Sequence, residues 1–200
     1  MKKVKGVGEA IVLIDGGYLS KIAKSLGGEK YLKYNLQSFA VNISKKLKYW
    51  CEDVCYYTAP PFQSNNPTEA EAKRKRGYDE TMSKMKMGRP WVKIREGRLQ
   101  KIGSFYKQKG VDTLIAFDLL RYSQIKEHEA IILVTADTDF VPIIKELKGM
   151  YPTKLFLAYF TDLTRKSSFS LSNELWEVFG NNKIRIERDD FFANNSSSKK

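Results

Sequence analysis

The sequence predicts an α/β fold in which a mostly parallel central sheet lies between two layers of helices. Two observations predict it. Short apolar runs rich in β-branched residues, most clearly at 11–14 and 131–134, alternate with segments of helical spacing. The 200 residues are 42% hydrophobic, which suits one domain with a sizeable core. Strand–helix units repeated in this way form parallel sheets that helices cover on both faces.

The first part of the chain contains alternating strand and helix patterns. The strand at 11–14 runs into Asp15 and two glycines, and a second glycine pair follows the first helix. Asn66 followed by Pro67 is typical of a helix start, with Asn66 as the cap. The expected elements are a strand at 11–14, helices at 18–26 and 36–47, a strand at 54–58, and a helix from 67 that ends near Gly77 or Gly88.

The second part of the chain continues the same alternation and ends in a polar tail. The expected elements are a strand at 91–95, a helix at 113–124 with Asp112 as its cap, a strand at 131–136, a helix at 140–148, strands at 154–160 and 184–186, and a helix at 171–179 between them. We therefore expect one domain over residues 1–188, with a basic helical insertion around 62–108. Residues 189–200 are expected to form a flexible C-terminal tail.

Composition excludes several classes of protein. No apolar stretch is long enough to span a membrane, and the first residues lack the apolar core of a signal peptide, so we expect a cytoplasmic protein without a membrane partner. Two cysteines and one histidine exclude zinc sites of the Cys₄ and Cys₂His₂ types. The histidine, His128, lies between two glutamates and is expected to be exposed. A net charge of +12 indicates a polyanionic partner.

The positive charge is concentrated in one stretch. Residues 73–109 contain 13 Lys or Arg and three acids, and aromatic residues lie among the cations. Cations with nearby aromatic rings suit a nucleic-acid strand, because they supply phosphate contacts and stacking surfaces. A solubilising basic face with aromatic residues in the core is the alternative. The candidate RNA-binding residues are Lys73, Arg74, Lys75, Arg76, Lys107 and Lys109.

Four aspartates are expected near the carboxyl ends of the strands. Asp15 and Asp137 directly follow predicted strands, Asp139 follows two residues later, and Asp112 precedes a helix. Ligands of open parallel sheets bind at this edge, and oxygen ligands without His or Cys favour Mg²⁺ or Mn²⁺. Each aspartate could instead be an ordinary turn or cap residue. Asp118, six residues after Asp112, lies on a different helix face but could still approach the site.

Four segments in this order resemble the NYN domain family, also called LabA-like, of the PIN-like nuclease superfamily. They are Ile14-Asp15-Gly16-Gly17-Tyr18-Leu19, Tyr56-Tyr57-Thr58-Ala59-Pro60-Pro61, Lys109-Gly110-Val111-Asp112, and Thr135-Ala136-Asp137-Thr138-Asp139-Phe140-Val141-Pro142. The resemblance implies a three-layer PIN-like α/β/α fold and metal-dependent ribonuclease activity. Two positions depart from the pattern: Tyr18 stands where many members have Asn, and Thr135-Ala136 replaces Ser-Gly.

The expected function is hydrolysis of RNA phosphodiester bonds with Mg²⁺ or Mn²⁺. The resemblance implies that Asp15, Asp112, Asp137 and Asp139 are both the metal ligands and the catalytic residues. A catalytically inactive RNA-binding or scaffold module with the same fold is the main alternative. A DNA-directed nuclease or a phosphatase on the same metal site is a third. RNA is the expected partner, and a homodimer is left open.

Overall fold

The computed structural model describes residues 6–28, 30–125, 127–162 and 171–192. It contains a six-stranded central sheet in which all paired strands are parallel, and a separate antiparallel hairpin. The strands are β1 (Glu9–Asp15), β2 (Trp50–Thr58), β3 (Trp91–Glu96), β4 (Arg98–Ile102), β5 (Phe105–Lys109), β6 (Ala130–Val134), β7 (Lys154–Tyr159) and β8 (Lys183–Arg185). The helices are α1 (Gly16–Leu26), α2 (Leu36–Lys46), α3 (Glu69–Met85), α4 (Val111–Ile125), α5 (Val141–Met150) and α6 (Asn173–Phe179).

Two apolar clusters cover the two faces of the central sheet. Alternate residues of β1 belong to different clusters: Val12 and Ile14 pack with α1 and α2, whereas Ile11 and Leu13 pack with α4, α5 and α6. Side chains of a strand point alternately to opposite faces, so a strand with no polar side chain between its ends must be covered on both. The predicted three-layer α/β/α fold with a parallel sheet is confirmed.

The strand order of the central sheet is β3-β2-β1-β6-β7-β8. From β1 the chain first builds the sheet outward through β2 and β3, and it then returns to the other side of β1 and continues through β6, β7 and β8. The direction of winding therefore reverses between β1 and β6. In open parallel sheets, the helices that follow two such strands diverge and leave a crevice at the carboxyl ends.

Helix α3 begins later than the sequence predicts. Its cap is Thr68, whose Oγ1 accepts a hydrogen bond from the Glu71 backbone N–H at 3.2 Å, while Glu71 Oε2 accepts one from the Thr68 N–H at 2.9 Å. This capping box satisfies two backbone donors reciprocally, which the Asn66-Pro67 pair does not do. The prediction that Asn66 is the cap is wrong, and the helix runs through Gly77 to Met85.

The region around 62–108 is not a purely helical insertion. Residues 91–96 form the edge strand β3 of the central sheet, paired in parallel with β2, as the sequence predicts. Residues 98–109 form the β4–β5 hairpin, which was not predicted. Every residue of β5 is exposed, so the hairpin lacks the buried face that produces a period-two apolar pattern.

The expectation of a flexible tail from residue 189 is wrong for residues 189–192. Phe191 is 1% exposed, and its ring centroid lies 4.8 Å from that of Phe39. The Asn42 side-chain amide donates hydrogen bonds to the carbonyl oxygens of Asp190 (3.0 Å) and Phe192 (2.8 Å). These partners lie about 150 residues away along the chain, so local sequence does not reveal them. Residues 193–200 lie outside the described residues.

His128 is buried, contrary to the sequence prediction. It is 5% exposed, and its ring meets that of Tyr122 edge-on at 5.9 Å between centroids. Its Nε2 lies 3.9 Å from Asp53 Oδ2. Burial lowers the pKa of His128 and outweighs the opposite effect of Asp53. The flanking glutamates suggested an exposed position. His128 is buried because its segment leads directly into the fully buried strand β6.

Candidate active site

A cleft of about 530 Å³ lies where the strand order reverses. Three of the four predicted aspartates line it: Asp15, Asp112 and Asp137. The other lining residues come from α1, from β5 and from the segment after β6. They are Gly17, Tyr18, Lys21, Gln108, Ala136 and Thr138.

Asp15 is the last residue of β1 and the N-cap of α1. Its Oδ1 accepts hydrogen bonds from the backbone N–H groups of Gly17 (2.9 Å) and Tyr18 (3.1 Å). A Cβ at Gly16 would lie 2.6 Å from the Tyr57 carbonyl oxygen, so only glycine lets α1 begin this close to β2. Burial raises the pKa of Asp15, and the charges of Asp112 and Asp137 raise it further.

Asp137 caps a short 3₁₀ turn, Thr138–Phe140, that precedes α5. Its Oδ1 accepts a hydrogen bond from the Asp139 N–H at 2.9 Å, and its own N–H donates to Thr135 Oγ1 at 3.2 Å. The Thr135 hydroxyl also lies 3.5 Å from Asp15 Oδ2. Thr135 therefore links the segments that follow β1 and β6, and both aspartates are held by the backbone turns that follow their strands.

Asp112 lies in the first turn of α4, which begins at Val111, so the prediction that Asp112 caps this helix is wrong. Partial burial raises the pKa of Asp112, and the charges of Asp137 and Asp139 raise it further. Asp139 is therefore near the other acids. It borders a neighbouring depression with Lys145, rather than lining the cleft itself.

The donor set of the cleft fits a hard divalent cation. Carboxylate oxygens are the ligands that Mg²⁺ and Mn²⁺ prefer. A cation would relieve the charge repulsion that, after burial, contributes to the raised pKa values of Asp15 and Asp112. Across residues 6–28, 30–125, 127–162 and 171–192, however, no three acidic, His or Cys side chains converge closely enough to form a finished metal site. The donor chemistry fits, whereas the side chains would have to move to complete a coordination sphere.

Asp118 does not belong to this cleft. It is 1% exposed, its Oδ2 accepts a hydrogen bond from the Tyr57 hydroxyl at 2.9 Å, and Arg95 Nε lies 2.9 Å from the same oxygen. Arg95 also donates from its Nη2 to Asp118 Oδ1 at 3.2 Å. Both carboxylate oxygens are thus occupied by partners from β2 and β3. The sequence left open whether Asp118 approaches the site. In the structure it does not line the cleft.

Sequence reasoning missed two residues that line the cleft, Lys21 and Gln108, and it named Thr135 without assigning it the contacts to Asp15 and Asp137. Lys21 follows Gly17 by four positions in α1, so the helical spacing could have placed both on one face. Gln108 had no local signal, because its position depends on the hairpin. Tyr18, which departs from the family pattern, lines the cleft. Its hydroxyl accepts a hydrogen bond from the Phe160 N–H at 2.8 Å, and burial raises its pKa to about 12.

The predicted RNA-binding residues divide into two groups. Within the described part of the chain, α3 contributes no side chain to the cleft, although its Lys73, Arg74 and Arg76 are exposed and Lys75 pairs with Asp79. On β5, the two predicted cations flank the residue that does line the cleft. They are Lys107 and Lys109, on either side of Gln108.

The fold and the acidic cleft at its reversal point define a doubly wound α/β protein with a carboxylate-lined site. The family model for the NYN domain matches residues 9–175, so the chain belongs to the NYN domain family, within the PIN-like nuclease superfamily.

Comparison with solved structures shows the same fold elsewhere. A crystal structure of a protein of unknown function from Vibrio parahaemolyticus RIMD 2210633 is similar, with a TM-score of 0.57 and 17% identity. The match covers 95% of this chain and 99% of that one. At this identity the likeness extends to the fold alone. No curated protein matches the sequence.

No helix among the described residues is both long and apolar enough to cross a membrane.

Proposed function

We propose that the protein is a metal-dependent ribonuclease that hydrolyses RNA phosphodiester bonds in the acidic cleft. The observation that carries the proposal is the convergence of Asp15, Asp112 and Asp137 on one cleft at the carboxyl ends of β1 and β6. The charges of Asp112 and Asp137 add to burial in raising the pKa of Asp15, and the charge of Asp137 adds to burial in raising the pKa of Asp112. This repulsion is costly unless the site holds a cation. Membership of a nuclease superfamily supports the same reading.

In this proposal Asp15, Asp137 and Asp112 hold a Mg²⁺ or Mn²⁺ ion, and Asp139 contributes from the edge of the cleft. The ion would lower the pKa of bound water and stabilise the developing charge on the phosphate. The Thr135 hydroxyl contacts both the Asp15 carboxylate and the Asp137 backbone N–H, and so fixes the positions of the two acids relative to each other. Lys21 also lines the cleft, where its positive charge would attract the phosphates of the bound RNA. We place the protein in the cytoplasm with RNA as its partner, and a homodimer is not part of the proposal.

An inactive RNA-binding module with the same fold is the second candidate. It is favoured by one observation: the carboxylates do not form a finished metal site over the described residues. The two candidates differ in whether RNA is cut when Mg²⁺ or Mn²⁺ is present.

The test compares cleavage of labelled single-stranded RNA, single-stranded DNA and a small phosphodiester, with Mg²⁺, with Mn²⁺ or with EDTA. We expect metal-dependent cleavage of RNA that EDTA abolishes. The Asp15→Asn and Asp137→Asn variants should fall to the EDTA background. Asp79→Asn is the matched control, because Asp79 is an exposed acid of α3 that does not line the cleft.

Asp15→Asn is informative because it should fold. Asn caps helices as well as Asp does. Since burial raises the pKa of Asp15, the fold disfavours its charged form, and the neutral amide removes that cost. We expect a melting temperature equal to or above that of the wild type, and Mn²⁺ should raise the melting temperature of the wild type only. Wild-type cleavage by a purified Asp15→Asn/Asp137→Asn variant would refute the proposal. RNA binding without cleavage under either metal would support the inactive module.

A further inference from the structure

The β4–β5 hairpin is exposed without an evident structural reason. All residues of β5 are exposed, with Phe105 at 65% and Tyr106 at 47%. The hairpin forms its own two-stranded sheet, outside the central one. Isolated two-stranded hairpins are only marginally stable in water, and exposed apolar surface rimmed by polar residues is a feature of interaction sites. The exposed rings and cations make the hairpin a candidate interaction surface.

The base of the hairpin is fixed beside the acidic cleft. A Cβ at Gly97 would lie 2.5 Å from the Lys109 carbonyl oxygen, so a residue without a side chain is needed where the two ends of the hairpin meet. The Gly97 N–H also donates to the Thr58 carbonyl oxygen at 2.9 Å, which holds the base at the carboxyl end of β2. Gln108, next to Lys109, lines the cleft.

The register of the hairpin separates its two faces. Leu99 pairs with Gln108, and Lys101 pairs with Tyr106, so these four residues share one face. Because Gln108 lines the cleft, this face continues from the cleft toward the tip of the hairpin. The opposite face carries the remaining pairs, which are Arg98 with Lys109, Gln100 with Lys107, and Ile102 with Phe105.

The cleft-side face offers an aromatic platform next to a cation. The Tyr106 ring packs against Phe62 with centroids 5.4 Å apart and planes inclined by 48°. Lys101 is its cross-strand neighbour. Tyr106 lies two residues beyond Gln108, about 7 Å along an extended strand. At about 3.4 Å per nucleotide, a stacked strand of nucleic acid that leaves the cleft would reach the aromatic pair within about two nucleotides.

The charge of the hairpin selects the class of ligand. Residues 97–111 contain four cations and no acid. A polyanion with exposed flat rings would contact both the cations and the aromatic rings of the hairpin. Its phosphates would pair with the cations, and its bases would stack on the rings regardless of sequence. A duplex hides its base faces, so it could use the cations alone. Single-stranded nucleic acid is therefore the ligand that fits this surface.

We propose that the β4–β5 hairpin binds single-stranded RNA on its cleft-side face, with a base stacked on the Tyr106–Phe62 pair and the backbone contacted by Lys101, and that it leads the strand into the acidic cleft. The statement that the hairpin leads the strand into the cleft rests on the proposed nuclease function. The binding surface itself does not depend on catalysis.

The test uses two neighbouring aromatic residues that point to opposite faces. Tyr106→Ala removes the cleft-side ring, and Phe105→Ala is the matched control on the other face. Binding of a fluorescent single-stranded oligouridine and of an RNA duplex of equal length is measured by anisotropy in EDTA, so that no strand is cut. Phe105→Ala should leave the melting temperature unchanged, and Tyr106→Ala should lower it only slightly, because the ring contact with Phe62 that it removes lies at the surface.

We expect Tyr106→Ala to weaken binding of the single strand about 5- to 150-fold, which corresponds to the loss of one base stack. Phe105→Ala should change that affinity less than about twofold, and neither variant should change duplex binding. Lys101→Ala should reduce the salt dependence of binding. Wild-type affinity in Tyr106→Ala, or equal losses in both variants or for both RNAs, would overturn the proposal.

Cleavage assays separate this proposal from the proposed function. If the cleft is a nuclease, Tyr106→Ala should raise KM for single-stranded RNA and leave cleavage of a small phosphodiester unchanged. A protein that cuts no substrate under any metal would refute the nuclease, while a binding defect confined to Tyr106→Ala would still support the hairpin surface. A small-phosphodiester rate that falls in Tyr106→Ala would overturn the assignment of Tyr106 to strand binding.

Discussion

Replacement of Asp118 by alanine tests whether this buried acid is structural. Asp118 accepts a hydrogen bond from the buried Tyr57 hydroxyl and faces the Arg95 guanidinium, as described above. Loss of a buried hydrogen bond to a charged group costs about 1.5–3 kcal/mol. The Arg95 side chain is 32% exposed and can turn to water, so loss of the ion pair adds only about 0–1 kcal/mol. Together these two losses give an expected cost of about 3 kcal/mol.

For a chain of this size, each kcal/mol lowers the melting temperature by about 2–4 °C, so Asp118→Ala should melt about 6–12 °C below the wild type. Urea unfolding of Asp118→Ala, Tyr57→Phe and the double variant should give a coupling energy of about 1.5–3 kcal/mol. Asp79→Ala, at an exposed acid, is the control and should change stability by less than about 0.5 kcal/mol. A cost below about 0.5 kcal/mol for Asp118→Ala, or loss of RNA cleavage at unchanged stability, would refute a structural role.

Two further predictions concern the packed C-terminal segment and the buried histidine. Phe191→Ala should cost about 3–5 kcal/mol, because it empties a fully buried ring site beside Phe39; a change under about 1 kcal/mol in urea unfolding would show that the segment does not contribute to the core. Because burial lowers the pKa of His128 below its ordinary 6.5, the unfolded chain binds this proton more readily than the folded one. The stability of the wild type should therefore be constant above about pH 7 with respect to this group and decrease as the pH falls below about 6.5. His128→Gln should lose stability less steeply between about pH 7 and 5, and identical slopes in urea midpoints would contradict the prediction.

The edge of the sheet where Asp15 and Asp137 lie was predictable because its signals are local. Asp15 terminates the apolar run of β1, and Asp137 follows the apolar run of β6. Parallel strands end at one edge of a sheet, so the two acids could be assigned to the same edge without knowledge of the strand order. The motif resemblance pointed to the same acids. Asp139 followed from the same motif, but the 3₁₀ turn after Asp137 places it at a neighbouring depression.

The hairpin and the packed end of the chain were not predictable, because their contacts join distant parts of the sequence. The hairpin shows no apolar alternation, and its position depends on the close approach of Gly97 to Lys109 and on the bond to Thr58. Phe191 lies in a polar stretch, and its burial depends on a site formed by Phe39 and Tyr34. No local pattern reports either arrangement.

The amino-acid sequence by itself determined the alternation of strands and helices, and thereby the parallel sheet and the edge where the aspartates meet, because apolar periodicity and turn residues act over a few neighbouring positions. The tertiary structure alone decided which acids share a cleft and which acid is instead bound by protein side chains. Asp118 lies only six residues after Asp112, but Tyr57 and Arg95 reach it from two different strands. The charge that an acid can offer to a ligand depends on these long-range partners, and the chain acquires them only when the layers pack.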